Sequence, residues 1–302
     1  MGDVLSKAPQ PMEETPTPPK QEPLLAEPWR THKILSDGWT EKVHKALLDD
    51  IANKLKENIN VVFIGPVASG KSSLINSYFT TVLNRITSKA PAGRGLTSHT
   101  LHLHQIRAVN QLKNITFYDT MGLEEAAGKG LQTERAQQIA KGEIEPGTKL
   151  DKDIVDTVEK KELFQHCIVY VLDGENIKLG LKEDLRKKIA EIKERIKDMP
   201  SGPNRVVIVT HTDNVCTEVK DDITKVFNSA AVYEVIKKVH NVTGVTFGNI
   251  FPVKNYVTEQ DSVEQVDILL LLALQRIVDF SIDAIDRSNN DNYSTKGSNS
   301  VD

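Results

Sequence analysis

The stretch Gly65-Pro66-Val67-Ala68-Ser69-Gly70-Lys71-Ser72 constrains this chain more than any other feature, because it satisfies G-x-x-x-x-G-K-[ST] at every position. The apolar run Val61-Val62-Phe63-Ile64 ends immediately before it, and a helical pattern follows from Ser69 onward. That strand–loop–helix context is what distinguishes a phosphate-binding loop from a plain glycine turn. Glycines let backbone N–H groups turn inward around phosphate oxygens, and the following helix presents the positive end of its dipole. Gly65, Val67, Ala68, Ser69 and Gly70 are then the cradle. Lys71 would reach the β- and γ-phosphates, the Ser72 hydroxyl would ligate Mg²⁺, and Ser73 would add a hydroxyl to the α-phosphate.

A second apolar stretch, Asn114 to Tyr118, runs into Asp119-Thr120-Met121-Gly122. Asp119 is placed to hold Mg²⁺ through water, and the Gly122 N–H to sense a γ-phosphate. Motor and transporter ATPases carry a second acid directly after the first; Thr120 in that place points to the GTPase branch. After the run Val206 to Val209 comes Thr210-His211-Thr212-Asp213, where GTPases have [N/T]-K-x-D. Asp213 fits the acceptor for guanine N1 and N2, and Thr210 the residue that ties the loop. His211 departs from the pattern, although an imidazole can still stack on a base. Lys254-Asn255-Tyr256 follows the last strand, where a backbone N–H meets guanine O6, and Asn255 is assigned there. A switch threonine belongs between the two phosphate motifs. Thr97 is the candidate, for Mg²⁺ as well, with Thr100 the alternative and Arg94 a candidate catalytic cation.

Around these motifs helical and strand patterns alternate. Val43, Leu47, Ile51 and Leu55 mark one helix face, and Leu181, Leu185, Ile189, Ile192 and Ile196 another. His99 to Arg107, Leu112 to Tyr118, His166 to Asp173, Arg205 to Thr210 and Ile250 to Val253 read as strands. The near-continuous Val/Ile/Leu content of His166 to Asp173 and Arg205 to Thr210 suits a parallel sheet covered on both faces. A last helix, capped by Asp261 with Glu264 three residues on, is apolar nearly all round from Ile268. The expected fold is a P-loop GTPase-like α/β domain, doubly wound, with a mainly parallel sheet and helices on both faces. It spans residues 29–286, between a proline-rich N-terminal tail, 1–28, and an Asn/Ser-rich C-terminal tail, 287–302, both expected to be disordered.

A formal net charge of −4 gives no basic excess to neutralise a nucleic-acid backbone, so no nucleic acid is expected as partner. Cys167 and Cys216 are the only cysteines and read as small buried hydrophobes of a reducing compartment. No signal peptide is read in the first 28 residues, and the longest apolar run, Ile268 to Leu274, is far below the roughly 20 residues of a membrane span. The expected location is the cytoplasm. Met1-Gly2-Asp3-Val4-Leu5-Ser6 fits the short pattern for N-myristoylation at Gly2, but Asp3 is an unhelpful neighbour and no polybasic cluster supplies a second anchoring signal.

Together these residues resemble the interferon-induced protein 44 family of GTP-binding proteins. The resemblance rests on Pro28-Trp29-Arg30, Gly65 to Ser73, Asp119 to Leu123, His166-Cys167 into Asp173, Thr210 to Asp213, and Asn255-Tyr256 followed by the Val266-to-Arg276 helix. It spans about residues 27–285 and implies a short form without the TLDc domain that vertebrate members can carry. It also implies a cytoplasmic protein of the innate immune or antiviral response. With GTP and Mg²⁺ as cofactors, the leading expectation is a switch or assembly factor with slow hydrolysis of GTP to GDP and phosphate, acting through a homo-oligomer or a protein partner. A nucleotide-stabilised scaffold without turnover is the alternative, and a P-loop ATPase or kinase is disfavoured by Asp213 and by Asp119 to Gly122.

Overall fold

The computed structural model describes residues 23–91, 100–126, 128–151, 157–158, 160–197 and 204–297. Helix α1 (Glu41–Lys54) buries Val43, Leu47 and Ile51, so the stripe legible in the sequence is its core face. Strand β1 (Ile59–Ile64), buried at every position, runs through the glycine loop into α2 (Lys71–Leu83). Next come β2 (His104–Arg107), β3 (Ile115–Asp119) and α3 (Thr133–Ala140). Then follow β4 (Cys167–Asp173), α4 (Gly174–Leu179), α5 (Glu183–Arg195) and β5 (Asn204–Thr210). Two short helices, α6 (Thr212–Val215) and α7 (Thr217–Asp221), lead to α8 (Ala230–Thr243), β6 (Ile250–Pro252) and α9 (Glu264–Gly297).

Among the described residues the strands form one six-stranded sheet in the order β2-β3-β1-β4-β5-β6. Every pairing is parallel except that of β2 with β3. This is the α/β GTPase fold expected, with its mainly parallel sheet. The chain leaves β1 to one side for β3 and later to the other for β4. At such a reversal the loops beyond the carboxyl ends of the strands open a crevice. The glycine loop sits there.

Helix α9 lies across β1, β4, β5 and β6 and packs on α1 and α2. Ile268 to Leu274 are all buried in it. Each such side chain contributes about 1.5–3 kcal/mol relative to exposure, which explains an apolar run with no polar face. The helix start differs from the reading. Its first bond runs from Asp267 N–H to Val263 C=O, so Val263 rather than Asp261 is the cap. The Tyr256 hydroxyl, 2.7 Å from Val263 N and 2.8 Å from Asp267 Oδ1, supplies from the segment between β6 and α9 what a capping side chain would.

Two edges also differ. Residues 101–103 do not extend β2; the Leu103 N–H donates to Thr148 C=O, and Leu101 C=O accepts from Leu150. Residues 23–28, read as part of the tail, are paired: Leu24 bridges Ser229, and the Leu25 N–H donates to Asn228 C=O at 2.6 Å. Trp29 continues this seam by donating its indole N–H to Val226 C=O and stacking on Tyr233. At the other end α9 continues to Gly297, past the expected boundary at 287.

Candidate nucleotide site

A cavity of about 730 Å³ opens along the carboxyl edge of the sheet. Its walls include Val67, Ala68, Gly70, Lys71, Ser72 and Ser73 from the loop after β1, and His211 and Asp213 from the loop after β5. Asn255, after β6, closes it from a third side. Nine residues read from three separated motifs therefore converge on one space. Gly65, Ser69, Asp119, Gly122 and Thr210 do not line it; they form the frame behind it. Arg94, Thr97 and Gly2 lie outside the described residues, while Thr100 is buried on the cavity wall.

The loop adopts a shape suited to anions. Ala68 and Gly70 both have positive φ, at 59° and 88°. Gly70 is required there: a Cβ would also meet Asn255 Nδ2 at 2.7 Å. The first helical bond of α2 comes from Leu74 N–H to Gly70 C=O, which leaves the amides of Lys71, Ser72 and Ser73 without intrahelical acceptors. Lys71 is buried and folds back on its own loop, donating to Gly65 C=O at 3.0 Å and Pro66 C=O at 2.9 Å. Burial lowers its ammonium to about 8, opposed by the charge of Asp119.

The Ser72 hydroxyl donates to Asp119 Oδ2 at 2.5 Å. Asp119 is fully buried, and its Oδ1 has no hydrogen-bond partner among the described residues. Burial pushes its carboxyl above the usual range, against the pull of Ser72 and Lys71. A hydroxyl and a half-satisfied buried carboxylate, side by side at the mouth of a phosphate loop, form a donor set that fits Mg²⁺. Ser72 and Asp119 would hold the ion, which would neutralise phosphate charge.

The segment after Asp119 is woven into the loop. The Leu123 N–H donates to Gly65 C=O at 2.9 Å, and Leu123 C=O accepts from Val67 N–H at 3.0 Å. The Val67 amide expected in the cradle is thus engaged elsewhere. Gly122 permits the approach, since a Cβ on it would lie 2.6 Å from Val67 Cγ2. Lys188 of α5 then secures the following loop through Glu124 C=O at 2.5 Å.

The base side is tied down as firmly. The Thr210 hydroxyl donates to Ser69 C=O at 2.7 Å, joining β5 to the phosphate loop, which is the tying role expected of it. The Thr212 hydroxyl donates to Val253 C=O at 2.9 Å. His211 has φ 52°, and its Nδ1 lies 3.0 Å from Asp173 Oδ2. That bond raises the imidazole above its ordinary value, against burial. The Asn255 side chain also braces the phosphate loop, donating to Gly70 C=O at 3.1 Å. Lys254 and Glu259, which the motifs did not flag, form an ion pair of 2.9 Å on the cavity wall. Burial disfavours the Glu259 charge, yet Lys254 and backbone N–H groups hold its carboxyl at about 2. No spacing rule marks them, because the loop after β6 has no fixed pattern beyond Asn255.

The family described as 50S ribosome-binding GTPase matches residues 60–211. Interferon-induced protein 44-like of Homo sapiens is 27% identical over 237 residues, 74% of this chain and 52% of that protein. Interferon-induced protein 44 of Mus musculus is 27% identical over 275 residues, 83% of this chain and 63% of that protein. The chain therefore spans about half to under two thirds of the length of these relatives. Among solved structures, Toc33 from Arabidopsis thaliana in complex with Mg²⁺ and GMPPNP is similar with a TM-score of 0.47 and 15% identity, covering 83% of this chain and 97% of that one. No helix among the described residues is long and apolar enough to cross a membrane.

Proposed function

Because the chain belongs to the GTPase family described as 50S ribosome-binding GTPase, we propose that it binds GTP with Mg²⁺ in this cavity and acts as a nucleotide-dependent switch or assembly factor with slow hydrolysis. The observation that carries the reading is the convergence of Lys71, Ser72 and Asp213 on one space from motifs far apart in sequence. Phosphates would lie against the amides of Lys71 to Ser73, and guanine against Asp213 and His211. Likeness to relatives named as interferon-induced supports a role in the innate immune or antiviral response, for which the cytoplasm is the proposed location. The direct test is to purify the protein, identify its retained nucleotide by mass, and titrate it with GTP and ATP, with and without Mg²⁺. Equal affinity for GTP and ATP overturns the assignment of guanine.

Slow turnover follows from Leu123. In small GTPases the residue after D-x-x-G is a glutamine that orients the attacking water. Leu123 has no polar side-chain group, is 1% exposed, and has both backbone groups bonded to the phosphate loop. Glu125, the next carboxylate but one, is paired with Lys182 at 2.9 Å. The isolated protein is expected to hydrolyse GTP at or below about 10⁻⁴–10⁻² s⁻¹, faster only when self-assembly or a partner supplies the missing group. Phosphate release over a wide range of protein concentration measures this. A rate near 1 s⁻¹ in dilute protein, unchanged in Arg94→Ala, would sink it. The same brace favours a second reading, a scaffold stabilised by nucleotide that never turns over; zero steady-state release with tight GTP binding would select it.

A further inference from the structure

The bond between Asp173 and His211 reaches beyond the binding motifs. In the [N/T]-K-x-D arrangement a long lysine stem covers the base. The imidazole at 211 has a shorter reach and two rotatable bonds, so it covers a ring only if something else aims it. Three features do so. The parallel ladder of β4 and β5 sets Asp173 opposite Thr210, beside His211. The left-handed backbone at His211, unusual for a side chain with a Cβ, turns the residue at the end of β5. The two Asp173 oxygens then divide the work: Oδ1 accepts from Asn176 N–H and caps α4, and Oδ2 accepts from His211 Nδ1 at 3.0 Å. The cap fixes the carboxylate, and the carboxylate fixes the ring on the cavity wall.

We propose that Asp173 is a positioning residue for guanine, holding His211 as the cover of the base. The proposal rests on the GTP reading above. Its consequence is a nucleotide affinity that depends on pH. The charged groups facing His211 are Asp173 at the end of β4, Glu175 in α4 and Asp213 in α6, all of which favour the imidazolium. Lys220 of α7 and Lys254 after β6 share the same cavity. An imidazolium against a π-face gains a cation–π attraction that neutral imidazole lacks. With its value raised above the ordinary 6.5, the charged form is present below the folded-state value and is lost as pH rises through it. The added attraction to guanine goes with it.

The experiment is a titration with fluorescent GDP from about pH 6 to 8.5, in parallel on the native protein, Asp173→Asn and His211→Lys, with the His211 ring followed by NMR. Native affinity is expected to fall about threefold to tenfold across the range. In His211→Lys, whose ammonium stays charged, this fall disappears. In Asp173→Asn the His211 midpoint moves to lower pH, and the fall in affinity moves with it. The ring titration reads the effect even if that variant is less stable. Identical pH profiles in all three proteins overturn the proposal and leave the GTP reading standing. Absence of guanine nucleotide binding by the native protein at every pH overturns the GTP reading itself.

Discussion

Lys71→Ala is expected to abolish measurable GTP binding. The ammonium is buried, shielded from water by the loop that it braces through Gly65 and Pro66. It therefore meets a phosphate without the desolvation that an exposed lysine would incur on binding. Lowered to about 8 by burial, it is also an ammonium that gains by acquiring an anion. Two charge-assisted contacts of about 1.5–3 kcal/mol each correspond to roughly a hundredfold to ten-thousandfold in affinity. Calorimetric titration with GTP and Mg²⁺ measures the loss, and a thermal melt of the variant checks the fold, because the two carbonyls also lose a donor. Gly65 C=O keeps its bond from Leu123 N–H, so the loop retains one of its fastenings. If the variant binds GTP as tightly as the parent, the phosphates do not lie in this loop.

Asp213→Asn is expected to exchange guanine for xanthine. Asp213 stands on the cavity wall in α6, and its loop is tied on both sides, by Thr210 to Ser69 and by Thr212 to Val253. Replacing a carboxylate by an amide of the same shape leaves those ties intact and changes only what the edge of the base meets. Two acceptors facing guanine N1 and N2 become one acceptor and one donor, and xanthine carries a carbonyl where guanine carries its amino group. Loss of the charged bond costs about 1.5–3 kcal/mol, roughly tenfold to over a hundredfold against GTP. Competition among GTP, ATP and XTP for a fluorescent nucleotide separates the outcomes. An undiminished preference for GTP over ATP in this variant would place the base elsewhere.

The proposed turnover and specificity rest on different kinds of residue. Lys71, Ser72, Asp119, Thr210 and Asp213 follow from spacing, because the phosphate cradle and the base edge demand fixed residue types at fixed offsets from a strand end. Leu123 and the slow turnover expected of it follow from spacing too, but the fastening of its backbone does not. That its backbone is stitched to Gly65 and Val67 depends on β3 lying beside β1 in a particular register, Phe63 opposite Asp119.

What the sequence by itself determined is whatever is written within one element or at one strand end: the strand–loop–helix of the phosphate site, the core stripes of α1 and α5, the near-continuous apolar runs of β4 and β5, and the acid at 213. These are legible because periodicity and motif spacing are local properties of the chain. The tertiary structure alone decided which distant groups meet. It set Asp173 against His211, Asn255 under Gly70, Lys188 over Glu124, and the Tyr256 hydroxyl at the head of α9 in place of Asp261. It also drew residues 23–28 out of the expected tail, because the chain before Trp29 finds unpaired backbone groups at 227–229. Each of these contacts joins side chains or carbonyls whose separation in space is set by strand order and helix packing, and no local pattern in the sequence encodes that distance.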